Sequence, residues 1–301
     1  MNVAEYLQHI GIEDKVLPPT LETLNRLQVA HLSKVPFENL DMFGGERRQI
    51  DLINVYNKIV KENRGGICCE LNGLYCWLLR QLGFDVEAIE GRPYIVDQDD
   101  FFGPMSHILM LVNLDGKTYT TDVAYGKHSC LRPLLLEEKL VQEQENGIYR
   151  FRRIDPTDQN VLYLEEKWLD SLDAEGKIVP VSETNPHYCA SVHRTEGWNI
   201  LYKLYIDKFY ELEDFKSAFD FFQDQPDNFF RANNFASLRS EETVLNLHGN
   251  CLTQIDFKRC PDGLTQRRTK TQLDSDAIND VIRKRFGVEP PKAFVPKADG
   301  K

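Results

Sequence analysis

Residues 64–72 read RGGICCELN, and residues 73–84 continue as GLYCWLLRQLGF, a largely apolar run that ends at a glycine. This pattern predicts a helix that begins near Cys68 and stops before Gly83. A cysteine at a helix N-terminus faces free backbone N–H groups and the positive end of the helix dipole. Both features stabilise a thiolate, so Cys68 is a candidate nucleophile. The competing interpretation is a buried structural cysteine, because free cysteines are among the most buried residues.

A histidine and an aspartate downstream favour the catalytic interpretation. His107 begins an apolar run, and Asp122 lies near the end of a second β-prone run at 117–123. The Asp115-Gly116 pair between the two runs is a strong hairpin signal. A hairpin would place His107 and Asp122 side by side, in an order that suits a nucleophile, its base and an orienting acid. Taken singly, each residue fits a structural role: a core histidine and a strand-end acid.

Four ordered motifs resemble those of the arylamine N-acetyltransferase family. Residues 64–74 follow the pattern RGGxCxExNxL, which is similar to that family's active-site signature, and VPFENL at 35–40 resembles a second motif. Ser106-His107 and TDVAYG at 121–126 resemble the third and fourth. FVPK at 294–297 is similar to the tail of vertebrate-type members. The resemblance extends over nearly the whole chain and is clearest in residues 30–130.

The resemblance implies a role for each matching residue. Cys68 would be the acyl-accepting nucleophile, His107 its base and Asp122 the orienting acid. Phe37 and Tyr125 would line the pocket for the acceptor. Arg64 and Glu70 would be structural and charge-paired inside the protein. The resemblance also implies contacts to the co-substrate acetyl-CoA, which would come from Gly103, Pro104 and Ser106.

Three positions depart from the family pattern. Cys69 stands where many relatives have an apolar residue; neighbours on a helix point about 100° apart, so we expect Cys69 not to share the site. Ala124 replaces an expected glycine, and Tyr125 stands where phenylalanine is common. Both belong to the implied acceptor pocket, so they bear on amine selectivity and not on the triad.

The fold that the resemblance implies is α+β and has the catalytic core of cysteine proteases and transglutaminases. Its expected units are an N-terminal helical bundle (1–84) carrying the nucleophile, a central antiparallel β-barrel (85–200) carrying the histidine and aspartate, and a C-terminal α/β lid with a tail (201–301). The residue pattern independently gives helices first, then strands, then a mixed end, which is an α+β order.

Local patterns predict the individual elements. Asn2, Thr20, Asp51 and Asp274 are predicted helix caps, and Gly287 should end the last helix. Residues 170–198 are predicted to form a long surface connector, which could be an insertion relative to compact relatives. Residues 212–223 should form a helix whose phenylalanines pack in the core. Strands are predicted at 86–92, 107–113, 117–123, 148–154, 161–168, 201–210, 243–248 and 251–257.

Two further segments carry weaker signals for CoA. Residues 227–231 resemble loosely a stretch that contacts CoA in the family. The basic cluster Arg267-Arg268-Thr269-Lys270 could meet CoA phosphates, although a solvated strand edge is the more common arrangement. The net charge of −11 and pI near 5.2 argue against non-specific nucleic-acid binding. An acidic protein that binds anionic CoA must therefore make a local positive patch.

Cysteine usage and hydropathy bound the compartment and the ligands. The seven cysteines are odd in number and scattered, and no His/Cys set has zinc-ligand spacing. We therefore expect no disulfide framework, no metal and a reducing, cytoplasmic location. No signal peptide is expected, and no apolar run approaches the roughly 20 residues that span a bilayer. Nothing in the sequence demands more than a monomer.

The resemblance implies a ping-pong acyltransferase that moves acetyl from acetyl-CoA to arylamines or arylhydrazines through a Cys68 thioester, and the composition agrees with it. One alternative is a cysteine amidase or transglutaminase-like enzyme with the same triad. Another is a binding protein with a defunct site.

Overall fold

The computed structural model describes residues 1–14 and 16–296 and has the expected α+β architecture. The last positions of the expected C-terminal unit, 297–301, which include Lys297 of the FVPK motif, lie outside the described residues. Short helical turns of other types lie at Asn57–Lys61, Gly126–His128 and Leu212–Phe215. The α-helices of the described part are α1 (Val3–His9), α2 (Leu21–Lys34), α3 (Leu40–Gly44), α4 (Leu52–Tyr56), α5 (Cys68–Gln81), α6 (Val181–Thr184), α7 (Lys216–Asp224), α8 (Phe229–Ala232) and α9 (Ser275–Phe286).

The strands form a larger and a smaller sheet. The predicted strands are confirmed, with boundaries that differ by at most three residues. The strands of the described part are β1 (Phe37–Glu38), β2 (Asp85–Ile95), β3 (Asp100–Phe101), β4 (His107–Leu114), β5 (Lys117–Thr121), β6 (Leu134–Leu135), β7 (Gln142–Gln144), β8 (Gly147–Arg152), β9 (Val161–Lys167), β10 (Ser171–Leu172), β11 (Ile178–Val179), β12 (Trp198–Tyr210), β13 (Phe235–Arg239), β14 (Thr243–His248), β15 (Cys251–Cys260) and β16 (Gly263–Gln272).

The N-terminal helices begin at the predicted caps. The Asn2 side chain accepts hydrogen bonds from the first turn of α1, Thr20 accepts from Thr23 in α2, and Asp51 accepts from the first turn of α4. Each cap satisfies backbone N–H groups that have no partner within the helix. The helix α5 lies at the centre of the helical layer, with both cysteines of its first turn buried in the main core.

The larger sheet is antiparallel and curves almost into a barrel, with the order β6-β5-β4-β2-β12-β9-β8-β7 and β3 paired to β2. The Gln142 side chain of β7 bonds both the N–H (2.8 Å) and the carbonyl (2.9 Å) of Leu135 in β6, which brings the two sheet edges together. The predicted hairpin between β4 and β5 is confirmed. Asp115 and Gly116 both have positive φ (51° and 74°), as a tight hairpin turn requires.

The smaller sheet has the order β1-β13-β14-β15-β16-β10-β11, and α9 packs against it. The predicted β14–β15 hairpin is confirmed, as are the Asp274 cap and the left-handed Gly287 that ends α9. Strand β1 comes from the helical region of the sequence yet pairs with β13, where Phe37 lies opposite Ser237. This pairing joins the N-terminal and C-terminal parts next to the residues that lead to Cys68.

The prediction that 170–198 forms only a surface connector is wrong in part. This segment contains β10, β11 and α6, and β10 pairs in parallel with β16 through Ser171 and Gln266. Strands of two residues are too short to produce an alternating pattern, so the polar composition hid them.

One long strand bears on the expected division into three units, which stays a prediction. Strand β12 runs from Trp198 to Tyr210 across the expected boundary at residue 200 and pairs with both β2 and β9. Beyond it, the predicted phenylalanine helix is confirmed as a short turn followed by α7, with Phe215 and Phe219 fully buried. None of the helices in residues 1–14 and 16–296 is long and apolar enough to cross a membrane.

Candidate active site

Two glycines allow the chain to pass beneath β1 and enter α5. A Cβ atom on Gly65 would lie 2.0 Å from the carbonyl oxygen of Pro36, and one on Gly66 would lie 2.8 Å from the Glu70 carboxylate. Either contact would force the backbone apart, so only glycine fits here. The Glu70 carboxylate also accepts the Ile67 N–H at 2.9 Å, which fixes the start of the helix.

Cys68 is the first residue of α5, as the sequence predicted. Its side chain is only 5% exposed, and its Sγ lies 3.7 Å from the carbonyl oxygen of Ser106. The N–H groups of the first helical turn lack intrahelical partners, so they face the sulfur with the positive end of the helix dipole.

The structure brings His107 and Asp122 together beside Cys68. His107 begins β4 and Asp122 directly follows β5, so the hairpin places them as neighbours. Nε2 of His107 lies 2.8 Å from Oδ2 of Asp122, and both side chains are buried. The other ring nitrogen of His107 is then left for the cysteine, and the charge of His107 favours the ionised form of Cys68.

Asn72 and a backbone N–H hold the Asp122 carboxylate in place. Nδ2 of Asn72 donates to Oδ1 of Asp122 (2.8 Å) and to the carbonyl of Ile108 (2.6 Å). Oδ1 of Asn72 accepts from the Val123 N–H, and the Ala124 N–H donates to Asp122 at 2.9 Å. Because Asn72 lies one helical turn after Cys68, the nucleophile and the acid are tied to the same helix.

Cys69 adjoins Cys68 in the first turn of α5, and both side chains are buried. The Cys69 thiol, together with the hydrogen bonding and charge of His107, lowers the pKa of Cys68 to about 5 against the opposing effect of burial. Burial and the neighbouring Cys68 sulfur raise the pKa of Cys69, so its thiol remains protonated. Cys69 therefore affects the charge of the Cys68 sulfur, while its expected separation from the reacting groups stays a prediction.

His107 and Asp122 are both charged beside the Cys68 sulfur. Burial alone would lower the pKa of His107, but the charge and hydrogen bond of Asp122 raise it to about 10. Burial would raise the pKa of Asp122, but the charge and hydrogen bond of His107 lower it. Between about pH 5 and pH 10, the site therefore holds a thiolate, an imidazolium and a carboxylate.

This ion pair predicts the pH dependence of alkylation at Cys68. Since the thiolate is the reactive form, the rate of iodoacetamide labelling should rise as the pH passes upward through about 5 and stay nearly constant from pH 6 to 8. An ordinary thiol, with a pKa of about 8.5, would gain rate over the whole of that range. Peptide mapping by mass spectrometry measures the rate, and exposed Cys189 serves as the internal comparison. A rate at Cys68 that climbs steadily to pH 8 would contradict the ion pair.

Aromatic side chains surround the imidazole. The ring of Tyr125 lies 5.2 Å from that of His107, and its hydroxyl donates to the carbonyl of Leu201. Phe37 packs beside Gly126 and stacks on Phe235, so both residues expected in the acceptor pocket lie near the triad. Tyr202, which the sequence did not single out, lies fully buried with its ring 5.3 Å from that of His107.

A buried ionic cluster supports the approach to the nucleophile. Arg64 donates to the Glu38 carboxylate (2.9 Å) and to Asp41 (2.9 Å), while Lys58 donates to Glu70 (2.8 Å). All five side chains are at most 5% exposed. Arg64 and Glu70 are thus charge-paired inside the protein as expected, each with a partner that the sequence did not reveal. Glu38 lies within the VPFENL motif, which was the available signal.

The loop expected to contact acetyl-CoA lies next to the sulfur. Oγ of Ser106 donates to the carbonyl of Gly103 at 2.7 Å, and the carbonyl of Ser106 faces Cys68. Gly103 and Pro104 are exposed. An acyl thioester that reaches Cys68 from this side would pass this loop. The contacts of Gly103, Pro104 and Ser106 with acetyl-CoA stay a prediction.

Comparisons with known proteins agree with this site. The N-acetyltransferase family model matches residues 20–295. The chain is 29% identical over 299 residues to the liver isozyme of arylamine N-acetyltransferase from Gallus gallus, covering 98% of each chain. Among solved structures, it is similar to the arylamine N-acetyltransferase of M. tuberculosis (TM-score 0.76, 26% identity, 95% and 94% coverage). It is also similar to that of Mycobacterium marinum in complex with CoA (TM-score 0.75, 25% identity, 95% and 93% coverage).

Proposed function

The chain belongs to the arylamine N-acetyltransferase family, and we propose that it moves an acetyl group from acetyl-CoA to arylamines or arylhydrazines through a thioester on Cys68. One observation carries this proposal. The Cys68 sulfur lies at the N-terminus of α5, and a buried His107–Asp122 pair supplies the imidazolium charge that favours its thiolate. This arrangement supplies a nucleophile that is already ionised at neutral pH.

The first half-reaction acetylates the enzyme. The Cys68 thiolate attacks the thioester carbon, and N–H groups of the first turn of α5 stabilise the oxyanion, a contribution typically worth a few kcal/mol per donor. The bond from the acetyl carbon to the CoA sulfur then breaks. The His107 imidazolium gives its proton to the departing thiolate, and Asp122 keeps the imidazole in the required orientation.

The second half-reaction transfers the acetyl group to nitrogen. The amine attacks the thioester carbon, neutral His107 takes the amine proton, and the bond from that carbon to the Cys68 sulfur breaks. The product amide leaves the thiolate–imidazolium pair restored. Water must be kept out during this step, and the near-complete burial of Cys68 and His107 favours the amine.

The aromatic walls support a flat acceptor. Phe37 and Tyr125 present ring faces near the triad, while the Tyr125 hydroxyl is engaged by Leu201. An aromatic amine can stack on such rings with its nitrogen directed at the thioester. The loop at Gly103 to Ser106 would contact the acyl donor as it approaches the Cys68 sulfur.

This mechanism predicts ping-pong kinetics, since CoA must leave before the amine reacts. Initial rates measured over a grid of acetyl-CoA and arylamine concentrations should give parallel double-reciprocal lines. Intersecting lines would mean that both substrates bind before reaction, and would rule out the thioester route.

We also propose that the protein works as a monomer in the cytoplasm. All three members of the triad come from one chain, and an attacking thiolate must stay reduced, which favours a reducing compartment.

A further inference from the structure

A cavity of about 660 Å³ lies beside the curved sheet and under the segment that joins β9 to β12. Residues 127 and 128, in the turn that follows Tyr125, form part of its wall. No member of the triad, the expected acceptor pocket or the 103–106 loop lines this cavity, but Arg268 of the basic cluster noted in the sequence does. The side chains that matter here are those of Lys127, His128, Trp168, Asn199, Gln266 and Arg268.

Two cations of this cavity form no ion pair. Among the described residues, neither Lys127 nor Arg268 takes part in one, although most arginines of this acidic chain do. Side chains alternate along β16, so Arg268 and Lys270 share one face and Arg267 points to the other. Burial, and then the charge of Arg268, lower the pKa of Lys127 against the opposing charge of Glu166, and Lys270 adds to the lowering, which places these charged groups close together.

The acids around the cavity are already engaged. Asp97 lies 3.2 Å from Nε2 of His187, and Glu166 lies 2.8 Å from Nδ1 of His128. The Asp173 carboxylate accepts the backbone N–H of Lys177 within its own turn. Glu166 therefore offsets part of the charge of Lys127, and Arg268 is left for an anion from solution.

Two unpartnered polar groups also border the cavity. Asn199 is 4% exposed, and its Oδ1 has no hydrogen-bond partner in the described structure. The buried Nε1 of Trp168 likewise has none. A buried polar group without a partner costs about 1–3 kcal/mol, so two at one cavity point to a ligand that satisfies them.

We propose that this cavity binds a small phosphate-bearing ligand. Lys127 and Arg268 contact its phosphate, Trp168 donates to a further oxygen, and Asn199 accepts an N–H or O–H of the attached group. A phosphate suits the cations because charge-assisted hydrogen bonds to its oxygens are among the strongest in proteins. The ligand is either the nucleotide end of acetyl-CoA or a separate nucleotide or sugar phosphate, since both carry phosphate beside hydroxyl or amino groups.

Calorimetric titration of the full chain with adenosine 3′,5′-bisphosphate tests the site without requiring acetyl transfer. Arg268→Gln should raise the dissociation constant about tenfold or more, the effect of losing one hydrogen bond to a charged group. Arg267→Gln is the matched control, because it removes the same charge one residue away on the other face, and should change the constant by less than about twofold. Asn199→Leu should also weaken binding, because it removes the buried acceptor.

Steady-state kinetics then separates the two sources of the ligand. If the nucleotide end of acetyl-CoA occupies the cavity, Arg268→Gln raises the KM for acetyl-CoA by a similar factor and the bisphosphate competes with acetyl-CoA. If a separate ligand occupies it, that KM is unchanged and the bisphosphate does not compete. No binding of the bisphosphate at millimolar concentration, or equal losses in Arg268→Gln and Arg267→Gln, would overturn the proposal.

Discussion

Replacing Asp122 with asparagine should lower kcat/KM for arylamine acetylation by roughly 10³- to 10⁴-fold. The carboxylate raises the pKa of His107 and thereby maintains the thiolate–imidazolium pair. An amide has no charge to stabilise the imidazolium. Because the Oδ1 position accepts from Asn72 and Ala124, the NH₂ group would take the Oδ2 position and donate to Nε2 of His107, which must then be deprotonated. The imidazole would then lose its proton, and the pKa of Cys68 would rise.

Steady-state acetylation of p-aminobenzoate measures this loss, and iodoacetamide labelling at pH 6 reports the thiolate separately. Asp115→Asn is the matched control: it makes the same change in the same hairpin, at an exposed turn residue whose positive φ asparagine tolerates. It should leave activity unchanged. Retention of more than a tenth of the activity by Asp122→Asn would contradict the role proposed for the acid.

Replacing Arg64 with methionine should lower the free energy of unfolding by about 3–5 kcal/mol, the usual cost of removing one partner from a buried ion pair. Methionine keeps much of the side-chain volume, so the effect isolates the charge and its hydrogen bonds. Without Arg64, the buried carboxylate of Glu38 loses two N–H donors and that of Asp41 loses one. Glu38 also accepts the Gly65 N–H, so the path of the chain into Cys68 should loosen.

Urea denaturation followed by circular dichroism measures the change. Arg26→Met is the control: its ion pair with Asp14 (2.6 Å) is about half exposed, and such pairs contribute about 0–1 kcal/mol. If Arg64→Met does not accumulate as folded protein, Arg64→Lys retains the charge without the planar fork and should show a smaller loss. A loss for Arg64→Met no greater than that for Arg26→Met would show that the buried cluster does not stabilise the fold.

The sequence was most informative where signals are local. The caps of the helices and the Asp115-Gly116 turn each act within a few residues, and the turn alone is enough to bring His107 next to Asp122. The position of Cys68 at the start of α5 follows from the glycines before it and the periodic apolar residues after it. These three predictions together locate the site. They do not predict that α5 packs against the hairpin, because no periodic pattern in the sequence indicates that contact.

Contacts between distant segments escaped the sequence. Asn39 bonds the backbone of Phe235, 196 residues away, and no periodicity marks that pair. Strand β16 reads GLTQRRTKTQ and is exposed on most of its length, so it lacks the apolar alternation that identifies a strand. Tyr202 belongs to a predicted strand, yet its packing on His107 depends on the curvature of the sheet. The effect of Cys69 on the pKa of Cys68 depends on the burial of both thiols, which helical spacing does not reveal.

The most direct test of the account is the intact mass of the purified protein after incubation with acetyl-CoA, beside a Cys68→Ala control. We predict a gain of one acetyl group that is absent in Cys68→Ala and is discharged when p-aminobenzoate is added. That result would establish the donor, the nucleophile and the two-step route together. An unmodified mass, with Cys68 still rapidly alkylated at pH 6, would contradict acetyl-CoA as the donor and point to a different acyl substrate for the same thiolate.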